Sequence, residues 1–264
     1  RYLLGQVDDV RMYVGKQLSA TEIATLYKSG LQKINSSQNT KGPTSGLVGM
    51  WSFNGPDVSW ATNIATDRSG NGNNGTITNM STSTAPTIGK VGQAFLFDGS
   101  NDYITTTNTT SWDSLFANGV SISAWVKYPN FSTWQRTVTI ENNANNDYDI
   151  WMQGQKTSAV VQCGSGGGLK YKNGTTAMQV NVWYHIVCVT DYTNGGTKIY
   201  VNGVDDGGTV NATPTYTADK GSLDIGRLRD ASASYYGAGT YDEVRIYNRA
   251  ITAAEVSQLY LMGK

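Results

Sequence analysis

From Gly46 onward the chain is a succession of short apolar or alternating runs. Each ends in Gly, Asn or Asp, and no long helical pattern interrupts them. Alternation of apolar and polar residues is the period of a strand with one face against a core. The pattern predicts strands over Leu47–Phe53, Gln93–Phe97, Tyr103–Thr107, Ser121–Tyr128, Thr137–Glu141 and Tyr148–Gln153. It predicts six more over Ala159–Cys163, Leu169–Lys172, Trp183–Thr190, Lys198–Val201, Leu223–Gly226 and Tyr241–Tyr247. Asn173-Gly174, Asn194-Gly195 and Asn202-Gly203 are dipeptides that favour tight hairpins, because both residues tolerate positive φ. Many short strands without a long helix can bury their apolar faces only against one another. The expected fold is therefore all-β, a two-sheet antiparallel jelly-roll sandwich with a short C-terminal helix.

A second feature is an internal repeat. Asp8, Val10, Arg11 and Tyr13 match Asp242, Val244, Arg245 and Tyr247; after a one-residue offset, Glu22, Leu26 and Tyr27 match Glu255, Leu259 and Tyr260. Each copy reads as a strand followed by a short helix. Val10, Met12 and Val14 alternate with Arg11 and Tyr13. Ser19 with Glu22, and Thr252 with Glu255, have the spacing of a capping box, in which each side chain satisfies a first-turn amide. Ile23, Leu26 and Tyr27 then share one helical face, as do Val256, Leu259 and Tyr260, and Gly263 is placed to end the second helix. The second copy closes a full-length domain, whereas the first is an orphan element. The expected organisation is a strand-helix element over residues 1–28 that serves a preceding or neighbouring domain, a polar linker over 29–45, and one large domain over 46–264. Val10, Met12, Tyr13, Ile23, Leu26 and Tyr27 are the residues expected to make assembly contacts.

Charge narrows the range of partners. The chain has 20 basic and 20 acidic residues, which gives no electrostatic reason to bind nucleic acid or an anionic membrane. Charged residues make up 15% of it, against about 25% in an ordinary domain, and its polarity comes from Thr, Ser, Asn and Gly beside 16 Tyr and 7 Trp. That mixture suits a secreted, β-rich protein at a cell surface. No apolar run is long enough to predict a membrane span. Cys163 and Cys188 are the only cysteines. They read either as two buried thiols or as a disulfide between neighbouring strands.

Several phrases together resemble the laminin-G-like, concanavalin A-like jelly-roll family. They are Gly46-Leu-Val-Gly-Met-Trp-Ser-Phe53, Asp67-Arg-Ser-Gly-Asn-Gly-Asn-Asn-Gly75, Gly92-Gln-Ala-Phe-Leu-Phe-Asp-Gly-Ser-Asn-Asp-Tyr103, Ser121-Ile-Ser-Ala-Trp-Val126, Trp183-Tyr-His-Ile-Val187, Lys198-Ile-Tyr-Val-Asn-Gly203 and Asp242-Glu-Val-Arg-Ile-Tyr247. The resemblance covers Gly46 to Gly263, and residues 1–28 resemble only the last strand and helix of the same family. It implies an extracellular recognition or scaffold module. In that family, loops such as Asp67 to Gly75 and Asp98 to Asp102 meet the closing strand around a calcium ion. The implied ligands here are Asp67, Asn71, Asp98, Asp102 and Asp242, with calcium in a structural role. The same carboxylates can instead cap turns through Asx hydrogen bonds.

Sugar contact requires aromatic platforms beside hydrogen-bonding groups. On the strand around Ile150, Asp149, Trp151 and Gln153 share one face. These three are the candidate carbohydrate-binding residues, with Trp134 and Tyr235-Tyr236, in turn-like segments, as weaker ones. Arg245, between Val244 and Ile246, reads as half of a buried ion pair, and His185 as a hydrogen-bonded structural histidine. Catalysis is not expected. The four glutamates are Glu22, Glu141, Glu243 and Glu255, two of them engaged in caps, and no closely spaced pair is available for glycoside cleavage. The functional expectation is an extracellular structural or adhesive lectin-fold protein that repeats in a filament or tandem array through self-association or contact with neighbouring copies. The alternative is a calcium-dependent carbohydrate-binding module that accompanies a secreted glycan-degrading enzyme.

Overall fold

A computed structural model describes residues 12–15, 17–26, 42–106, 116–141, 148–165, 170–194, 196–210, 213, 221–229 and 234–264. The chain divides into two compact units, Arg1–Lys41 and Gly42–Lys264.

In the first unit the capping box forms and a helix, α1, runs over 20–26. The Ser19 amide donates to Glu22 Oε2 at 2.8 Å, and the Glu22 amide donates back to Ser19 Oγ at 3.3 Å. Residues 12–15 form no strand, contrary to the alternation around Met12. Val10 and Tyr27 lie outside the described residues.

The second unit is a sandwich of two large sheets in which every strand pair is antiparallel. One sheet has eight strands. In spatial order they are Val204–Asp205, Gly196–Val201, Tyr184–Asp191, Gly119–Lys127, Ala238–Tyr247, Gln93–Asp98 and Pro86–Ile88, with Leu47–Trp51 also paired to Ala238–Tyr247. The other has ten: Thr209–Val210, Tyr171–Asn173, Val161–Ser165, Tyr148–Gly154, Gln135–Glu141, Ser222–Ile225, Tyr103–Thr106, Gly75–Thr78, Ile64–Ala65 and Val58–Ser59. A separate two-stranded hairpin pairs Arg227–Arg229 with Ser234–Tyr236.

Alternation decides what lies between the sheets. Ile122, Ala124 and Val126 of one strand, Ile186 and Cys188 of its neighbour, and Val138, Ile140, Ile150 and Met152 of the opposite sheet all join a single core around Trp51, Phe95 and Phe97. Cys163 and Cys188 form a disulfide, with Cα atoms 5.7 Å apart, that ties the ten-stranded sheet to the eight-stranded one. A second, smaller apolar cluster lies on the outer face of the eight-stranded sheet. There helix α2, Ala253–Met262, lays Val256 and Leu259 against Val187, Val189, Tyr200 and Tyr247. Thr252 caps it through the expected box, and Gly263 is its C-cap.

Two expectations need adjustment. Asn202-Gly203 turns a hairpin, with φ of 52° and 82°, but Asn173-Gly174 does not. Tyr171–Asn173 pairs forward with Thr209–Val210, far along the chain, because the Gly174 amide is drawn back to the Val161 carbonyl. Strands Gly75–Thr78 and Pro86–Ile88 were not expected, being Thr-rich and short.

Candidate functional site

With Ile150 and Met152 in the core, Trp151 and Gln153 point to the outer face of the ten-stranded sheet. A chain of side-chain hydrogen bonds crosses four adjacent strands there. Arg136 Nη1 donates to Gln153 Oε1, Gln153 Nε2 to Gln162 Oε1 at 2.6 Å, and Gln162 Nε2 to Asn173 Oδ1 at 2.9 Å. The indole of Trp151 also donates to Gln162 Oε1, at 3.3 Å, and lies across Gly164 of the next strand. The chain thus bonds one end of the Arg136 guanidinium to the floor of the face.

The hairpin over Arg227–Arg229 and Ser234–Tyr236 rises from this face as a ridge. It is anchored by the Gly226 amide on the Thr137 carbonyl at 2.9 Å and by Thr139 Oγ1 on the Arg227 carbonyl at 2.7 Å. Gly226 has φ +84°, and a Cβ there would enter the Phe97 ring, so only glycine allows the ridge to leave the sheet this closely. On one side of the ridge the Arg136 guanidinium lies 5.4 Å from the Trp134 ring centre and 5.8 Å from that of Tyr235, which is 46% exposed. On the other side Arg227 stacks 3.4 Å over Tyr103, which is in turn 6.3 Å from Tyr236. Fully buried Asp224 ties both ridge arginines down: it accepts from Arg227 Nε at 3.0 Å and from Arg229 Nε at 2.7 Å, and Arg229 also reaches Thr105. Half-exposed rings and fixed guanidinium groups can take the C–H face and the hydroxyls of a sugar together.

Of the residues expected to contact sugar, the weaker candidates Trp134, Tyr235 and Tyr236 stand at this surface. Trp151 and Gln153 do not: each is 3% exposed. Their alternation was read correctly, but they form the floor that orients Arg136 rather than a platform, because Trp151 has folded flat over a glycine. Asp149 falls outside the described side chains. Arg136, Gln162, Asn173, Asp224, Arg227 and Arg229 were not singled out in the sequence. Gln162 alternates with Cys163 and was legible in principle; the ridge arginines were not.

The five expected calcium ligands are engaged in hydrogen bonds of their own turns and of the closing strand. Asp67 has both oxygens occupied: Oδ1 accepts from the Met50 and Ser69 amides at 2.9 and 2.8 Å, and Oδ2 from Ser69 Oγ and the Asn73 amide at 2.8 and 2.9 Å. Asn71 turns its amide nitrogen to the Leu47 carbonyl at 3.0 Å. Asp98 and Asp102 exchange bonds across their own turn, and burial pushes the Asp102 carboxyl up. Asp242 Oδ2 takes the Lys90 and Val91 amides, both at 2.8 Å. Burial, then the neighbouring Glu243 charge, pushes its carboxyl well above the usual range. At Asp67 the N–H and O–H dipoles directed at both oxygens place positive charge where a cation would sit, whereas Asp242 Oδ1 is buried without a hydrogen-bond partner. Among the described residues no three His, Cys, Asp or Glu side chains gather as a metal cage.

The two structural residues behave as expected. Arg245 pairs with Glu243 at 2.5 Å, with both side chains buried. His185 Nε2 bonds Ser123 Oγ at 3.0 Å. Nothing among the described residues bears on the expected self-association into filaments. No described helix is long and apolar enough to cross a membrane.

Comparison with known proteins gives a family and a set of similar folds. The sequence model of the Laminin_G_3 family, described as the concanavalin A-like lectin/glucanases superfamily, matches residues 98–257. No curated protein matches the chain. Domain 4 of AbnA, a GH43 extracellular arabinanase from Geobacillus stearothermophilus solved in complex with arabinotriose, is similar at 25% identity and a TM-score of 0.61. The match covers 82% of this chain and 98% of that one. Trypanosoma rangeli sialidase in complex with the inhibitor DANA is similar at 14% identity and a TM-score of 0.62, covering 92% of this chain and 39% of the sialidase. A mutant of that sialidase displaying trans-sialidase activity is similar at 15% and 0.60, again with 39% of its length covered. At that identity the sialidases show the fold alone.

Proposed function

Because the chain belongs to the Laminin_G_3 family of concanavalin A-like lectin/glucanase domains, we propose that it is a non-catalytic, extracellular carbohydrate-binding module. In this reading it serves a secreted enzyme that acts on polysaccharide. The observation that carries the proposal is the Arg136 guanidinium, fixed by Gln153 and flanked by Trp134 and Tyr235 on the outer face of the ten-stranded sheet. A sugar ring stacks its C–H face on Tyr235 or Trp134, while the guanidinium fork donates to two of its hydroxyls. The match to nearly the whole of an arabinanase domain bound to arabinotriose supports an oligosaccharide as ligand. The disulfide supports an oxidising compartment. Calcium plays no part in this reading.

The test is calorimetric titration of the full chain with arabino-oligosaccharides and a panel of other plant and microbial glycans. Binding to one class, lost in Arg136→Ala and in Tyr235→Ala without a change in Tm, supports the reading. Binding that survives both substitutions places the site elsewhere, and no binding to any glycan at millimolar concentration overturns the proposal.

A further inference from the structure

The closing element of the sandwich is written twice in the sequence, and the second copy is seated in the sandwich itself. In the seated copy Ile246, Tyr247, Ile251, Val256 and Leu259 are between 0% and 3% exposed. The positions that repeat them are Met12, Tyr13, Leu18, Ile23 and Leu26. Met12 is 88% exposed, Tyr13 42% and Ile23 55%, while Leu18 and Leu26 are only partly covered.

The two copies agree at the helix cap, although residues 12–15 form no strand where the matching Ile246 and Tyr247 do. Each helix opens on the same reciprocal cap: Oε2 of Glu22 accepts from the Ser19 amide at 2.8 Å, and Oε2 of Glu255 from the Thr252 amide at 2.8 Å. The return bonds are 3.3 Å in both. The charges repeat as well. Glu243 pairs with Arg245 and Arg249 with Glu255, and the matching sequence positions are Asp9, Arg11, Lys16 and Glu22. An element that keeps its cap, its ion-pairing charges and its apolar face is specified for the same seat.

The structure shows what that seat is. Val256 and Leu259 cover Val187, Val189 and Tyr200 on the outer face of the eight-stranded sheet. In this chain that face is already filled by α2. We infer that the N-terminal element is an interaction surface whose partner is the outer sheet face of a second domain of this same family, to which it supplies the last strand and helix. The inference goes beyond the carbohydrate reading and does not depend on it.

The test grafts one copy into the place of the other in the full chain. In one graft Val7–Tyr27 replaces Tyr241–Tyr260; in a gentler one Ser19–Tyr27 replaces Thr252–Tyr260. The expected result is cooperative unfolding with a Tm lowered by no more than about 10 °C, abolished when the grafted counterparts of Ile23 and Leu26 are changed to Asp. Loss of cooperative unfolding in both grafts overturns the inference, as does a graft indifferent to the two Asp changes. In the ungrafted chain Ile23→Asp leaves Tm unchanged. A fall there would mean that the face already serves its own domain, and would overturn the inference too.

Discussion

The indole of Trp151 lies flat over Gly164, its registered partner on the neighbouring strand, so that a methyl group at Gly164 would fall inside the ring. Trp151 in turn donates to Gln162, and Gln162 is the middle of the amide chain that ends on Arg136. A glycine with no contact to ligand thus sets the height of the floor beneath the candidate site.

Gly164→Ala is expected to destabilise the domain by about 1–3 kcal/mol, because the ring has to tilt out of a close-packed layer. A urea titration measures it. Gly196→Ala, which meets nothing within 4 Å, is the control and leaves the midpoint unchanged. Equal midpoints for the two variants would show that the Trp151 ring does not rest on the strand.

Arg136→Lys separates charge from shape at the candidate site. Lysine keeps the cation but loses the planar fork that Gln153 orients. Affinity for the bound oligosaccharide is expected to fall at least tenfold, or about 1.4 kcal/mol, with little change in Tm. Full retention of affinity would mean that only the charge matters.

The Cys163–Cys188 bridge closes a loop with a sequence separation of 25 and joins the two sheets. Chain-entropy arguments put its contribution at about 3–4 kcal/mol. Replacing both cysteines with Ala is expected to lower Tm by roughly 10 °C. Calorimetry with and without reductant reads this directly, and an unchanged Tm under reduction would contradict it.

Acid stability depends on three groups. Burial, with Arg245 adding to it, lowers the His185 pKa from 6.5 to about 3. The folded state therefore holds this ring neutral, while the unfolded state protonates it below about pH 6.5. Stability is complete above that pH and falls as pH drops toward 3, by at most about 1.4 kcal/mol per unit. Glu255, bonded first by Arg249 and then by its cap, is held down to about 2, so its contribution is present above the usual glutamate range and is lost as pH falls toward 2. Asp242 acts with the opposite sign, since its raised pKa favours the folded state on acidification. His185→Gln is expected to remove one proton from the uptake on unfolding between about pH 6 and 4.5. An unchanged slope of Tm against pH would show that the ring is already protonated in the fold.

The strands around the core were legible to within two or three residues at their ends. Gly119–Lys127 and Tyr184–Asp191 were read from Ser121–Tyr128 and Trp183–Thr190, because their inward positions are uniformly apolar. Gly75–Thr78 and the ridge strands escaped notice because each is only three or four residues long, too short for its alternation to stand out. For the site, Trp134, Tyr235, Tyr236 and the shared face of Trp151 and Gln153 were visible, but their different roles were not. Whether a tryptophan lies open as a platform or closed as a floor depends on the residue across the strand from it, and here that residue is Gly164.

What the sequence determined by itself is local: the period of each strand, the Asn202-Gly203 turn, the two capping boxes and the repeat they mark. These follow from torsional preferences and from bonds between residues three or four apart. The tertiary structure decided which cysteine alternative holds, which acidic side chains are consumed by turns, and that Arg136, Gln153, Gln162 and Asn173 form one chain. Those outcomes depend on strand register between segments far apart in sequence, and register is set only when two sheets close over a common core.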